Sequence, residues 1–196
     1  EKFYRKALSL EPKDTNTLNN LGNVLAKKNL LSAAEEKFCL SLTIDSKRPD
    51  ILTNLGGVLQ AQGKLDEALE TFDQALKLDP EYADGYWNRS LARLLTGDLI
   101  GGFEDYEWRF KLPEYSKEQS KTPLWNGESL ERKSILVYSE QGYGDTIQFI
   151  RYVPMLVERG AKVILETHKS LVGLFANLKY LDDVIIRNTK PIRTDF

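Results

Sequence analysis

The chain has 196 residues, of which 27 are basic and 29 acidic, so its formal net charge is −2. This balance lacks the basic excess of a nucleic-acid-binding protein, and we expect no nucleic-acid partner. No apolar run approaches the roughly 18 residues of a membrane-spanning helix, and no secretory leader is visible, so we expect a cytoplasmic protein without membrane contact.

The first 111 residues show helical periodicity, interrupted by residues that end helices, namely Pro12, Gly63, Pro80 and Gly97. The pattern predicts seven helices, over Lys2–Leu10, Thr15–Lys28, Leu31–Ile44, Pro49–Gln62, Leu65–Leu78, Ala83–Thr96 and Leu99–Phe110. The chain begins without Met inside the first of these helices and stops at Phe196 with no closing element. From these two ends we expect an excised piece of a longer protein.

A 34-residue repeat runs through these helices. Residues in phase include Leu18, Leu52 and Tyr86, then Ala34 and Ala68, then Phe38, Phe72 and Tyr106. Small residues at fixed offsets from large apolar ones let two antiparallel helices pack closely, and each pair stacks on the next. The pattern resembles the tetratricopeptide repeat, which implies an α-solenoid of about three and a half repeats over residues 1–111.

The last repeat departs from this pattern. Ser90 and Arg93 stand where the family prefers glycine and a large apolar residue. The following helix crowds four aromatic residues together, Phe103, Tyr106, Trp108 and Phe110. We expect these differences to reflect packing against the next domain.

Asn20, Asn54 and Asn88 occupy the same phase of three successive first helices. In tetratricopeptide arrays that phase lies on the concave wall. An amide side chain both donates and accepts hydrogen bonds, so a ladder of amides can pair with the backbone of an extended peptide. The predicted peptide-binding residues are Asn16, Asn20, Asn23, Asn54, Asn88 and Trp87. The alternative is that asparagine merely tolerates an exposed face, although it is a mediocre helix former. The ladder is similar to that of O-linked N-acetylglucosamine transferases, whose repeats feed protein substrates to a glycosyltransferase domain.

Periodicity disappears over residues 112–132, which we predict to be a linker that Trp125 pins to a neighbouring domain. Residues 133–196 then alternate between strands and helices. Strands are predicted over Ser134–Tyr138, Lys162–Glu166 and Asp183–Ile186, with helices from about Asp145 to Glu158 and from about Lys169 to Asn177. This order is typical of a partial Rossmann-like parallel βαβαβ unit. We expect an open sheet edge that could support self-association.

The turn after the first strand is the predicted ligand loop, with Glu140, Gln141, Gly142 and Gly144 as its candidate residues. A dinucleotide-binding fingerprint needs a small residue at position 147, and Ile147 stands there, which disfavours redox chemistry. His168, the one histidine, follows the second strand and is more typical of a loop residue than of a catalyst. No cluster of Cys, His and carboxylates has metal-ligand spacing, so no metal is expected.

The segment EQGYGDTIQFIRYVPMLVERGAKVILE, with Gly144-Asp145 and the mid-helix Pro154, resembles the first half of heptosyltransferase-like glycosyltransferases. These enzymes have the two-domain glycosyltransferase-B fold. Joined to upstream repeats through Tyr106–Arg109 and a Pro-x-Trp-x-Gly linker, the segment looks like a known bacterial architecture. The resemblance implies a nucleotide-sugar donor for the longer protein and assigns Asp145 as a candidate general base. A carboxylate in the first turn of a helix is favoured by the helix dipole, but capping the helix would place it there equally well.

Three functions therefore remain open at this stage. The chain is part of a protein glycosyltransferase whose repeats present a polypeptide acceptor, or a pure interaction scaffold with a non-catalytic α/β domain, or a nucleotide-binding protein for redox or kinase-like chemistry. Under the first hypothesis, residues 1–196 alone lack the donor-sugar domain and carry neither cofactor nor activity. The activity expected of this stretch is protein binding.

Overall fold

The computed structural model describes residues 1–113, 123–140, 142–187 and 194–196. Contacts divide the chain into two compact units, Glu1–Gln119 and Ser120–Phe196. The predicted linker over 112–132 lies partly outside the described residues. Within the described part of the chain, no helix is both long enough and apolar enough to cross a lipid bilayer.

The first unit is helical throughout its described residues. Its elements are α1 (Lys2–Leu10), α2 (Thr15–Lys27), α3 (Leu31–Ile44), α4 (Pro49–Ala61), α5 (Leu65–Leu78), α6 (Ala83–Thr96), α7 (Leu99–Tyr106) and a 3₁₀ helix over Glu107–Lys111. Helices α2 and α3, α4 and α5, and α6 and α7 pack as pairs, and each pair packs on the next. The predicted stack of helix pairs is confirmed, with α2 and α4 each ending one residue earlier than expected.

The last helix differs from the prediction, because the α-helix ends at Tyr106 and the chain continues as a 3₁₀ helix. The buried guanidinium of Arg109 donates to the Tyr106 carbonyl at 3.1 Å. In a continued α-helix that carbonyl would accept from the backbone of Phe110. The Arg109 side chain therefore bonds to the Tyr106 carbonyl at the point where the α-helix changes to a 3₁₀ helix.

Within each of the pairs α2–α3 and α4–α5, an aromatic ring of the second helix packs directly against a glycine of the first helix. A Cβ added to Gly22 would lie 2.6 Å from Phe38 Cε1, and one added to Gly56 would lie 2.5 Å from Phe72 Cε1. Both rings are fully buried. Only glycine allows the facing backbone to approach this closely, which explains why these small and aromatic residues recur in phase.

The turn between the two helices of each pair is left-handed at one position. Asn29, Gly63 and Gly97 stand in phase, with φ of 60°, 81° and 88°. Glycine and asparagine adopt this conformation at the lowest cost, so the chain can reverse directly after each first helix.

The second unit holds a parallel sheet of three strands, β1 (Ser134–Tyr138), β2 (Lys162–Thr167) and β3 (Asp183–Ile186), in the order β1-β2-β3. Ser134 pairs with Lys162 and Ile164 pairs with Asp183. Its buried apolar residues are Leu130, Ile135, Val153, Ala161, Val163, Leu165, Leu171 and Phe175. Trp125 packs against this core, and its indole N–H donates to the Glu128 carbonyl at 2.9 Å.

The predicted helix from Asp145 to Glu158 is interrupted. It consists of α8 (Tyr143–Phe149), a 3₁₀ turn (Ile150–Tyr152) and α9 (Val153–Glu158), while α10 (Lys169–Phe175) follows β2. Pro154 explains the break, because it has no N–H to donate and its ring collides with the carbonyl four residues earlier, that of Ile150. The 3₁₀ turn begins at Ile150.

Residues 194–196 lie beside β1, on the edge opposite to β2. The Leu136 N–H donates to the Phe196 carbonyl at 2.7 Å, and the Phe196 N–H donates to the Ser134 carbonyl at 3.1 Å. On the other edge of β1, the Lys133 carbonyl accepts from the Lys162 N–H and the Ser139 N–H donates to the Glu166 carbonyl, so these two residues bond to β2. One expected open edge is therefore covered, and the predicted self-association is left to the outer edge of β3, which among the described strands pairs with β2 alone.

Candidate functional site

The first helices of successive pairs lie side by side, since α2 contacts α4 and α4 contacts α6. Residues of equal phase on these helices are therefore neighbours across one face. A pocket of about 260 Å³ opens on this face. We call it the amide pocket, because it brings together Asn23 of α2, Asn54 of α4 and Asn88 of α6.

The wall of the amide pocket is mostly apolar. Beside the three asparagines it is lined by Ala26, Lys27, Leu31, Phe38, Thr53, Gly57, Val58 and Ala61. Helix α3 contributes Leu31 and Phe38, so the pocket lies where one second helix meets the three first helices α2, α4 and α6. Lys27 is the charged residue of this lining.

Two of the pocket amides already bond within the protein. Asn54 Nδ2 donates to Asn19 Oδ1 at 2.9 Å, which links α4 to α2. Asn88 Nδ2 donates to the Asp84 carbonyl at 2.8 Å, one turn earlier in its own helix. Each bond uses one donor and fixes the orientation of the amide, and an amide has a further donor and a carbonyl acceptor to offer a guest.

Three other predicted peptide-binding residues lie outside the amide pocket. Asn16 and Asn20 are exposed residues of α2 that do not line it. Trp87 is half-buried, with its ring centroid 5.0 Å from that of Tyr106. The structure thus gathers Asn23, Asn54 and Asn88, whereas the sequence predicted a ladder of Asn20, Asn54 and Asn88.

Thr53 lies in the same lining and is only 5% exposed. Its hydroxyl finds no hydrogen-bond partner among the described residues. Thr71, on α5, shows the usual alternative, because its hydroxyl donates to the Glu67 carbonyl at 2.7 Å. A buried hydroxyl without a partner is costly. The Thr53 hydroxyl is therefore a further polar group in the pocket lining that could bond to a guest.

Carboxylates near the start of α4 and α6 shape the electrostatics of this part of the unit. Hydrogen bonds from the Arg48 guanidinium, at 2.9 and 2.8 Å, lower the pKa of Asp50. Burial, together with the charges of Asp84, Asp50 and Asp79, raises the pKa of Tyr82 to about 12. The phenol therefore stays neutral at physiological pH.

The predicted ligand loop of the second unit lies after β1. Gly142 is the N-cap of α8, and Asp145 is an exposed residue of its first turn. The alternative that Asp145 caps the helix is wrong, because the helix begins at Tyr143, two residues earlier than predicted. Glu140 is half-buried and Gly144 is exposed, while Gln141 lies outside the described residues.

His168, which the sequence predicted to be a loop residue, has a ring that packs against the start of α8. It follows β2, and its ring packs edge-on against Tyr143, with centroids 4.9 Å apart. Its Nε2 is buried and has no hydrogen-bond partner among the described residues. The Ser139 hydroxyl, directly after β1, donates a buried hydrogen bond of 2.9 Å to the hydroxyl of Thr167, the last residue of β2. The carboxyl ends of β1 and β2 thus carry a small polar cluster, although no described group of three His, Cys, Asp or Glu side chains is arranged as metal ligands.

Sequence reasoning missed the apolar half of the amide pocket. Leu31 and Phe38 belong to a second helix, and their repeat phase predicts only core packing. The sequence does mark Gly57 as unusual. It follows Gly56 directly, and the residues in phase with it in the neighbouring repeats are Asn23 and Leu91. A glycine without a repeat partner points to a local requirement.

Comparison with known proteins agrees with the helical repeats. A family model described as "TPR repeat" matches residues 58–97. Protein FlbA of Caulobacter vibrioides is 33% identical over 72 residues, which are 36% of this chain and 12% of FlbA. The chain therefore spans a small part of that relative.

One solved structure shares the fold of the helical repeats. The crystal structure of MamA is 23% identical, with a TM-score of 0.51, and the match covers 57% of this chain and 65% of that one. The first TPR of Spaghetti (RPAP3), solved with the HSP90 peptide SRMEEVD, is also 23% identical, with a TM-score of 0.49 over 53% of this chain and 86% of that one. The family model thus matches from the end of α4 to just past the end of α6, within the stacked helix pairs of the first unit.

Proposed function

We propose that the tetratricopeptide repeats of this chain bind an extended polypeptide across α2, α4 and α6. The observation that carries this proposal is the amide pocket, where Asn23, Asn54 and Asn88 from three successive repeats line one space of about 260 Å³. Amides in this arrangement offer donors and acceptors at regular intervals, as the backbone of an extended chain requires.

The cost of these residues supports the proposal. Asparagine is a mediocre helix former, and three of them occupy helix interiors. The Asn54–Asn19 bond offsets part of that cost. It also holds the Asn54 amide in one orientation, which reduces the entropy lost when a guest is bound.

The test uses peptides selected from a random library on the 196-residue protein. Changing Asn54 and Asn88 together to Ala is expected to weaken the selected peptides about tenfold or more, since two hydrogen bonds are lost. Asn177→Ala is the matched control, because Asn177 is an exposed asparagine of the second unit. Equal affinity of the double variant and the control for the peptides would refute the proposal.

A second proposal concerns the second unit, which we assign to the acceptor side of a glycosyltransferase. Its specific support is that residues 194–196 bond to the edge of β1 away from β2, where the fourth strand of a doubly wound 3-2-1-4 sheet would lie. In such sheets a ligand binds where the order reverses, beyond the carboxyl end of the first strand. Among the described residues, Glu140, Gly142 and Gly144 follow β1 at that position along the chain.

On this proposal Asp145 removes a proton from the acceptor hydroxyl. Its exposed position in the first turn of α8 leaves the carboxylate accessible to an acceptor. The test is mass spectrometry of selected peptides, incubated with the longer protein and a panel of nucleotide sugars. A mass increase of one sugar with wild type but not with Asp145→Asn is expected, whereas transfer that survives this change would exclude Asp145 as the base.

A further inference from the structure

Two adjacent glycines of α4 have different reasons to be there. A Cβ on Gly56 would collide with the Phe72 ring at 2.5 Å, whereas a Cβ on Gly57 would meet nothing within 4 Å. Glycine in a helix interior weakens the helix relative to alanine. Packing explains Gly56 and leaves Gly57 unexplained.

Gly57 lines the amide pocket. Because a Cβ there would meet no neighbouring atom, any side chain at this position would enter space that the pocket uses. In the other repeats the corresponding residues, Asn23 and Leu91, both have side chains. The gap is therefore specific to the second repeat, at the centre of the three first helices.

The size of the pocket limits what it can hold. Its volume of about 260 Å³ lies just below the range of roughly 300–1,000 Å³ that is typical of small-molecule sites. This space suits a single large side chain better than a whole metabolite. The amides of Asn54 and Asn88 stand at the same pocket, where they can meet the backbone on either side of that residue.

The chemistry of the lining limits the occupant further. Ala26, Leu31, Val58 and Ala61 provide apolar contact, and the charged residue is Lys27, which repels a cationic guest. Among the described residues, Lys27 has no carboxylate partner in an ion pair. The pocket lining contains no carboxylate that would attract a basic side chain. A basic side chain is therefore disfavoured, and the apolar wall favours an apolar occupant.

We propose that the amide pocket seats one large apolar side chain of the guest polypeptide and that Gly57 determines this specificity by leaving the space open. The inference rests on the proposed peptide binding and adds to it the type of residue that is read. Gly57 acts as a specificity-determining residue, and the amides hold the backbone.

The experiment compares the peptides selected on the full 196-residue protein with those selected on Gly57→Leu. Wild type is expected to enrich peptides that share one large apolar position. Changing that residue to Ala should weaken binding about tenfold or more, as the loss of one buried apolar side chain predicts. Gly57→Leu should weaken the parent peptide by a similar factor and reduce the difference between parent and Ala peptide to less than about threefold.

Two further variants keep the result interpretable. Gly57→Ala adds one methyl group and should raise the melting temperature while it weakens the parent peptide, so a misfolded Leu variant cannot hide the answer. Gly173→Leu is the matched control, since a Cβ at Gly173 of α10 also meets nothing within 4 Å. Its affinity for the peptide should equal that of wild type.

The outcomes separate the two proposals. Enriched peptides that lack a shared apolar position, or a Gly57→Leu protein that still distinguishes the parent from the Ala peptide, overturn the inference while peptide binding stands. No enrichment on wild type overturns both. Affinity that depends on Asn54 and Asn88 but not on Gly57 assigns recognition to the backbone alone and also refutes the role of Gly57.

Discussion

In both the second and the third helix pair a first helix packs against a second helix, but the contacts that hold the two helices together differ in chemistry. In the second pair the fully buried Phe72 ring sits over Gly56. In the third pair Ser90 replaces the glycine, and its buried hydroxyl donates to the Trp87 carbonyl at 2.7 Å. The joint is made instead by Arg89, whose guanidinium bonds Asp105 of α7 at 2.7 Å through two nitrogens.

The ionic joint of the third pair is a network. Asp105 also forms an ion pair with Arg93 at 3.2 Å, and Arg89 donates a hydrogen bond to Asp73 of α5 at 2.6 Å. Burial lowers the pKa of Arg89, but hydrogen bonds with Asp105 and Asp73 outweigh it, and the net pKa lies above its ordinary value. Tyr86 stacks on Trp108 with ring centroids 3.8 Å apart. One repeat geometry can thus be held by a packed ring or by paired charges with stacked aromatics.

Removing the ring from the packed joint should have the largest effect. Phe72→Ala is expected to lower the free energy of unfolding of the first unit by about 3–5 kcal/mol, because a fully buried phenyl leaves a cavity. Urea unfolding followed by circular dichroism measures this loss. Phe103→Ala is the control, since that ring is 56% exposed, and it should cost less than about 1 kcal/mol. A loss below about 1 kcal/mol for Phe72→Ala would contradict the packed joint.

Breaking the ionic joint should cost somewhat less. Asp105→Ala is expected to lower the free energy of unfolding by about 2–3 kcal/mol, below the usual range for a buried pair because Arg89 and Arg93 keep some solvent access. Arg89→Met combined with Asp105→Leu should restore most of the loss, since both buried charges of the pair are then removed, while Asp73 is half-exposed and Arg93 keeps its ion pair with Asp98. A double variant as unstable as Asp105→Ala would show that the network does not act through the pair.

Adjacent glycines should respond with opposite signs. Gly56→Ala is expected to destabilise the protein by about 1–3 kcal/mol through its collision with Phe72. Gly57→Ala should stabilise it by about 0.5–1 kcal/mol, since the helix gains alanine at no steric cost. Melting temperatures of the two variants, measured side by side, check the prediction. Equal shifts of one sign would mean that the Phe72 ring can move away from Gly56.

A smaller effect should appear in acid. Glu35 accepts hydrogen bonds from Gln62 at 2.8 Å and from Lys64, and these, with Gln62 first, lower its pKa below the ordinary 4.5. A carboxylate with a lowered pKa in the folded state stabilises the protein above its unfolded pKa, and this contribution is lost as pH falls through the folded pKa. Glu35→Gln should therefore reduce stability by about 0.5–1 kcal/mol at pH 7, and the difference from wild type should shrink steadily as the pH falls below 4.5. Glu70→Gln, at an exposed position of α5, should behave like wild type at both pH values.

The helices were predictable because repetition amplifies a weak signal. Ala34 with Ala68 and Phe38 with Phe72 each report the same packing, and the predicted bounds agree with the structure to within a residue through α6. The joint of the third pair was not predictable, because the partner of Arg89 lies sixteen positions away in a helix that departs from the repeat.

The site was predicted only in part for a related reason. Phase placed Asn54 and Asn88 on one face correctly, but it could not show that Asn23, rather than Asn20, shares a pocket with them. That choice depends on how side chains of three helices meet. In the second unit the alternation of strands and helices predicted the sheet, while the Ile150–Tyr152 turn required the collision caused by Pro154 to be considered.

The most direct test of the account follows the side-chain amide NMR signals of Asn23, Asn54 and Asn88 during titration with a selected peptide, each signal being assigned by its Asn→Gln variant. The account predicts that all three signals shift and saturate together with one dissociation constant, while the signal of Asn177 stays still. Saturable binding that leaves these three amides unmoved would contradict it.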